Sequence, residues 1–197
     1  YFLEYMNEGL DIYANHDNVY SVNGYNFPLD NVNEYISFLI PLTSSWGWAT
    51  WKNKWAIMDM QTSQKNFIKK NDYIKHRFNI GEFDYLEMLY SKNIDKIWDA
   101  RWYYSVFTYH GLGLFPSKSL VKNIGFDNTG TNCGNYNPYY TEPSHTKIKI
   151  LKENTINLKY YSMIADFLYK DTHNRKIYNN FSNVIKYIFK KLTKKSN

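Results

Sequence analysis

Residues 98 to 115, WDARWYYSVFTYHGLGLF, join a helix directly to a strand, and that junction decides the fold class. Trp98, Trp102, Ser105, Val106 and Tyr109 recur at helical spacing and trace one face, while Gly111 offers the residue that closes a helix at its C-terminal end. From Leu112 the segment LGLFPSKSLVKNIG alternates as a strand does. Pro116 cannot donate to a ladder, so an edge position is expected. Strands that alternate with helices make an α/β or α+β layer structure. In such folds the ligand site lies in loops at one end of the sheet.

Upstream the alternation continues. SSWGWATWKNKW, residues 44 to 55, puts Trp48, Trp51 and Trp55 at i, i+3 and i+7, which predicts a core-facing helix from about residue 47 to 58. Trp46 falls off that face, before Gly47, where the missing Cβ permits unusual dihedrals or close approach of a backbone or ligand. SFLIPL (37 to 42) and VYSVNGYNF (19 to 27, ending at Pro28) read as strands. FLEYMNEGLDIY (2 to 13) reads as a helix, with Phe2, Met6 and Leu10 at fourfold spacing and Leu3 beside them. FDYLEMLYSK (83 to 92) predicts a short helix, and 61 to 82 is polar and lysine-rich without strong signals.

Downstream, GFDNTGTNCGNYNPYY (125 to 140) is loop by its Gly, Asn and Asp content, and 136 to 178 carries no readable signal. Phe181, Val184, Ile185, Ile188, Phe189 and Leu192 then form an apolar stripe backed by lysines, able to dock on protein or on an anionic membrane surface. The chain divides at about residue 150, with 151 to 197 a helical extension that ends in this basic amphipathic helix.

The aromatic content is 19%, with 20 Tyr and 6 Trp among 197 residues, more than a core usually consumes. Tyr and Trp pair a flat apolar face with a polar tip, which suits sugars and stacked bases. The formal charge of +6 lies largely in Lys186, Lys190, Lys191, Lys194 and Lys195. A basic tail rather than a basic groove argues against a nucleic-acid partner. Nothing resembles a signal peptide and no apolar run approaches bilayer length, so the expected location is cytoplasmic, with peripheral contact on the inner face of the cell membrane through 179 to 195. One cysteine, Cys133, forms no internal disulfide and no Cys-based zinc site.

Among chemical candidates, Asp99 stands first. An Asp in a first helical turn is commonly a cap or a partner of the helix dipole, yet one flanked by two indoles has the apolar surroundings of a general base. Arg101 can clamp a phosphate or carboxylate in bidentate fashion, although a structural ion pair is the commoner fate. The loop FDNTGTNCG, 126 to 134, combines Gly freedom with hydroxyls and amides able to wrap a polar ligand. It matches neither a phosphate-binding Walker loop nor a dinucleotide fingerprint. The scattered histidines offer no ligand pair, and no GxSxG elbow is present.

Taken in order, FLEYMNEGLDIY, VYSVNGYNF, SSWGWATW and WDARWYYSVFTYHGLGLFPSKSLVKNIGFDNTGTNCG resemble the C-terminal half of a bacterial GT-A glycosyltransferase, of the sugar-transferase group related to family 2, with an outline shared with N-acetylglucosaminyltransferase I. The resemblance covers roughly residues 1 to 135. WGWATW and WDxRW followed by PSxSLVxNIGFD carry it. It implies a Rossmann-like mixed sheet with flanking helices, incomplete at the N-terminus, in which 1 to 150 form the acceptor-side half of the catalytic domain. The acidic DxD motif that holds Mn2+ or Mg2+ and the donor diphosphate in such enzymes would lie immediately upstream of Tyr1, so no metal ligand is expected in this chain.

By the same resemblance Trp46, Gly47, Trp48 and Arg101 serve the acceptor, and Asp99 takes the proton of its hydroxyl in an inverting displacement. Asp127, Thr129 and Gly130 then belong to the loop that closes over the donor. Many enzymes of the resembled group carry His where this chain has Asn132. The implied partners are a nucleotide-sugar donor and a saccharide or lipid-linked acceptor, in surface polysaccharide or lipopolysaccharide biosynthesis. The alternative is a non-catalytic carbohydrate-binding module derived from the same fold.

Overall fold

A computed structural model describes residues 1–126 and 137–193, with side chains as far as 176. The chain is mixed α/β, built on a four-stranded open sheet of order β2-β4-β1-β3 with helices on its flanks. Helix α1 (Phe2–Ile12) leads into β1 (Val19–Asn23), followed by β2 (Ser37–Ile40) and β3 (Trp48–Ala49). Four short helices come next: α2 (Lys52–Trp55), α3 (Lys65–Lys70), α4 (Asp72–Phe78) and α5 (Tyr85–Met88). Helix α6 (Trp98–Thr108) then delivers β4 (Leu112–Pro116), and α7 (Leu158–Thr193) is the last of the described elements.

The junction of α6 and β4 is where the sequence predicts it, with two differences. Strand β4 is interior, not an edge: it pairs parallel with β1 (Val22↔Leu114) and antiparallel with β2 (Leu39↔Leu114). Pro116 is tolerated because it is the last strand residue, opposite Ser37, where the ladder ends. The residue in the left-handed conformation after α6 is His110 (φ 54°), one before Gly111, whose N–H reaches back to the Val106 carbonyl at 2.8 Å. All five residues of β1 and of β4 are buried, as expected for adjacent parallel strands covered on both faces.

Two clusters cover the faces. Tyr5, Met6 and the partly buried Phe2 and Leu10 of α1 pack with Val22, Leu39 and Leu114 on one side, whereas Leu3 is exposed. Phe38, Ile40 and Phe115 meet Phe78, Leu89, Tyr103 and Tyr104 on the other. Tyr160, Ile164 and Leu168 of α7 belong to this second cluster, and Tyr160 stacks on Phe38 at 4.0 Å with rings 3° from parallel. The first third of α7 is thus part of the main core.

The predicted tryptophan helix does not form. Gly47 is left-handed (φ +57°), and an added Cβ there would lie 2.9 Å from Val121 Cγ1. What approaches Gly47 closely is therefore protein: Val121, Phe2 and the N–H of Gly24, which donates to its carbonyl at 2.7 Å. Trp48 and Ala49 extend to pair antiparallel with Asn23 and Val22, and only Lys52–Trp55 makes a helical turn. The three indoles accordingly part company. Trp51 Nε1 donates to the Leu10 carbonyl (3.1 Å) against α1, while Trp48 and Trp55 join Trp98 and Trp102 in an indole cluster with ring centroids 5.0–6.3 Å apart.

The predicted helix 83 to 92 shortens to Tyr85–Met88, held by Asp84, which accepts from the Glu87 N–H. The region without signal, 61 to 82, holds α3 and α4, anchored by Ile68, Ile74 and Phe78. The stripe at 181 to 192 falls on residues whose side chains lie outside the described ones. Among the described residues no helix is long and apolar enough to cross a membrane.

Candidate functional site

Beyond the C-terminal ends of the parallel pair β1 and β4 the chain leaves the sheet in three segments that buried polar groups tie together. Asn23, fully buried, donates to the Leu114 carbonyl (3.1 Å) and accepts from the Ser44 N–H (2.9 Å), which pins the segment after β2 onto the end of β1. Gly113 makes room for that crossing, because a Cβ there would lie 2.3 Å from the Leu42 carbonyl oxygen. Asn26 donates to the Ser117 carbonyl (3.1 Å), and Ser119 Oγ accepts from the Asn26 N–H (3.1 Å). The Ser-rich PSKS run is thus a clasp between the segments that follow β4 and β1.

The clasped segments open onto a cleft of about 510 Å3. Tyr25 and Phe27 come from the segment after β1, Thr43 to Trp46 from that after β2, and Tyr85, Met88 and Phe83 from around α5. Asp99, Trp102 and Tyr103 come from α6, Tyr139 from the segment before α7, and Leu168 and Arg175 from α7. Phe126, the last described residue before 127 to 136, lies on its rim. Trp46 stands at the centre of the rings: it meets Tyr25 edge-on at 4.5 Å, Phe126 at 6.0 Å and Tyr139 at 6.1 Å. Edge-to-face contacts hold aromatic side chains in fixed orientations.

The polar groups stand against this apolar lining. Asp99, half-buried in the first turn of α6, has the positive end of the helix behind it and accepts from Ser45 Oγ–H (Oδ2, 3.2 Å) and from the Ala100 N–H (Oδ1, 3.0 Å). Burial first, and then the charge of Asp99, push the Tyr85 phenol well above its ordinary value, so it stays a hydroxyl. Tyr25 is likewise held protonated by burial and donates to the Tyr139 carbonyl (2.9 Å). At the far wall the buried Asp171 carboxylate accepts from Tyr139 Oη (2.8 Å) and Arg175 Nε (2.9 Å), and burial followed by that carboxylate raise the Tyr139 phenol. The cleft is an aromatic trough with a hydrogen-bonded carboxylate on one wall, a guanidinium on another, and hydroxyls between.

Of the described residues singled out from sequence, the structure brings Asp99 and Trp46 to this cleft, whereas Gly47, Trp48 and Arg101 stand elsewhere. Trp48 is in the indole cluster, and Gly47 shapes the backbone. Arg101, two residues beyond Asp99 and so on the opposite side of α6, is buried in an ion pair with Asp95 at 2.7 Å. Asp127, Thr129, Gly130, Asn132 and Cys133 lie outside the described residues. Sequence reasoning missed Ser45, Tyr25, Tyr85, Tyr139 and Arg175, which converge only through tertiary structure. Among the described residues no three His, Cys, Asp or Glu side chains gather as a metal cage.

In comparison with known proteins, no family model, no curated protein and no solved structure matches the chain.

Proposed function

We propose that the aromatic cleft binds a saccharide acceptor and that the protein is a nucleotide-sugar-dependent glycosyltransferase with Asp99 as the base. The observation that carries this reading is the convergence of Asp99 and Trp46, from segments far apart in sequence, on one cleft that Tyr25, Phe126 and Tyr139 also line. Ring faces and edges contact the apolar faces of a pyranose, and the Ser44 and Ser45 hydroxyls and the Asp99 carboxylate meet its hydroxyls.

In the proposed step an acceptor hydroxyl gives its proton to Asp99 Oδ2. Its oxygen attacks the anomeric carbon of the donor, and the bond to the diphosphate breaks with its electron pair leaving on the diphosphate. One such displacement inverts the anomeric centre. Ser45 Oγ fixes the carboxylate, an orientation worth most when the acceptor oxygen must lie in line. A divalent metal, Mn2+ or Mg2+, would neutralise the departing diphosphate, and no step is assigned to one held by the described residues. The proposed setting is surface polysaccharide or lipopolysaccharide synthesis on the cytoplasmic side of the membrane. The acceptor is a saccharide or a lipid-linked saccharide.

The test is to incubate the full-length protein with a panel of nucleotide sugars and mixed oligosaccharide acceptors and to follow nucleoside diphosphate release. Release that requires an acceptor supports the reading. Saccharide binding without release from any donor favours the carbohydrate-binding module instead.

A further inference from the structure

A second, smaller cavity of about 340 Å3 lies on the side of α6 away from the aromatic cleft. Its walls include Arg101, Lys65, Thr62, Gln61 and Asp95. Arg101 is the unusual member. Its side chain is 6% exposed, yet its Nη2 has one charged partner, Asp95 (2.7 Å), whose own side chain is 90% exposed. Nη1 faces only the Met60 thioether, at 3.9 Å, and Nε has no hydrogen-bond partner among the described residues. A guanidinium carries five N–H groups, and burying a cation is costly unless its donors are answered. Here one is answered well, by a carboxylate free to swing into solvent. Lys65 adds a second cation to the same cavity; its Nζ donates to the Leu89 carbonyl (3.3 Å). Asp59, the nearby acid, is occupied by the N–H groups of Gln61 and Ser63 at 2.9 and 2.8 Å.

We propose that this cavity is a phosphate-binding site in which a phosphate group replaces Asp95 on Arg101 and is held by Lys65 as well. Two cations select a dianion over a monocarboxylate: a carboxylate ligand would only exchange one single charge for another, whereas phosphate presents more charge and three or more acceptor oxygens to the two donors. The source is either free phosphate or a small phosphomonoester, which share this chemistry and both fit the volume. The inference does not depend on the glycosyltransferase reading, since it uses no residue of the aromatic cleft.

The experiment is calorimetric titration of the full-length protein with inorganic phosphate and, separately, glycerol phosphate, at fixed ionic strength, with acetate as the carboxylate control. Wild type binds a phosphate arm more tightly than acetate, and the tighter arm identifies the source. Asp95→Asn removes the internal competitor and tightens phosphate binding about fivefold, the upper range for an exposed ion pair. Lys65→Ala weakens it by a similar factor. Circular dichroism of both variants checks the fold, which these changes at a cavity mouth leave intact. No heat with either phosphate arm, equal affinity for acetate, or phosphate affinity unchanged in both variants overturns the proposal. Nucleoside diphosphate release bears on the other cleft alone and so separates the two readings.

Discussion

Leu168→Ala tests at once whether α7 is integral to the core and whether it shapes the cleft. Leu168 is 1% exposed, packs in the cluster with Phe38, Phe78 and Tyr160, and lines the aromatic cleft. Removing a buried leucine side chain loses its transfer free energy and leaves a void, together about 2–5 kcal/mol. The void here opens on one side to the cleft, where water can enter, so the lower half of that range applies and about 3 kcal/mol is expected. For a chain of this length each kcal/mol moves Tm by about 2–4 °C, which gives a fall of roughly 6–12 °C. The assay is thermal unfolding followed by circular dichroism, with Leu158→Ala as the control. Leu158 begins the same helix but is 71% exposed, so its truncation stays within about 0.5 kcal/mol. A Leu168→Ala loss under about 1 kcal/mol, or equal effects of the two changes, refutes the packing argument.

Trp46→Ala removes three edge-on ring contacts, each worth about 0.5–1.5 kcal/mol beyond area burial, so it lowers stability moderately and saccharide binding strongly; Trp46→Phe recovers stability more than binding. Equal recovery of both would assign Trp46 to folding. Glu34 accepts from the Tyr160 hydroxyl and Lys159, in that order of effect, which hold its folded-state carboxyl below the ordinary value. Its stabilisation is therefore present above the unfolded-state value of about 4.3 and is lost as pH falls through the lower folded value. In paired thermal scans Glu34→Gln is less stable than wild type near pH 6, and the gap closes at about pH 2. A gap independent of pH would contradict this. Deleting 179 to 197 moves the protein from the membrane to the soluble fraction if the lysine-backed stripe meets lipid, and an unchanged distribution removes that proposal.

Where local pattern and tertiary demand agree, the chain is legible. Helix α1, strands β1 and β2 and the α6–β4 junction lie where apolar period and terminal residues predict them. The tryptophan segment misleads because i, i+3, i+7 spacing scores as a helix whatever the backbone does, whereas Gly47 turns left-handed and β1 recruits Trp48 and Ala49 as an edge strand. Helix α7 carried a signal that went unread: Asn157 Oδ1 accepts from the Tyr160 N–H, and Tyr160, Ile164, Leu168 and Asp171 follow as one buried stripe. Its many polar residues conceal that period. At the site, Asp99 and Trp46 were visible because an acid among indoles and an indole beside a glycine are unusual compositions. Ser45, Tyr85 and Arg175 were not, since each is unremarkable until the sheet brings it to the cleft. Arg101, which the resemblance assigned to the acceptor, has the ion pair that is the commoner fate of such a residue, because two residues beyond Asp99 is the far side of the helix.

The central claim is that the Asp99 carboxylate receives the acceptor proton. Its most direct test is Asp99→Asn in the full-length protein, with sugar transfer measured against donor binding. An amide of the same shape keeps the Ser45 neighbourhood but accepts no proton, so transfer falls by two or more orders of magnitude, on the scale of lost general-base catalysis, while donor affinity stays unchanged. Turnover within a few-fold of wild type would contradict the assignment.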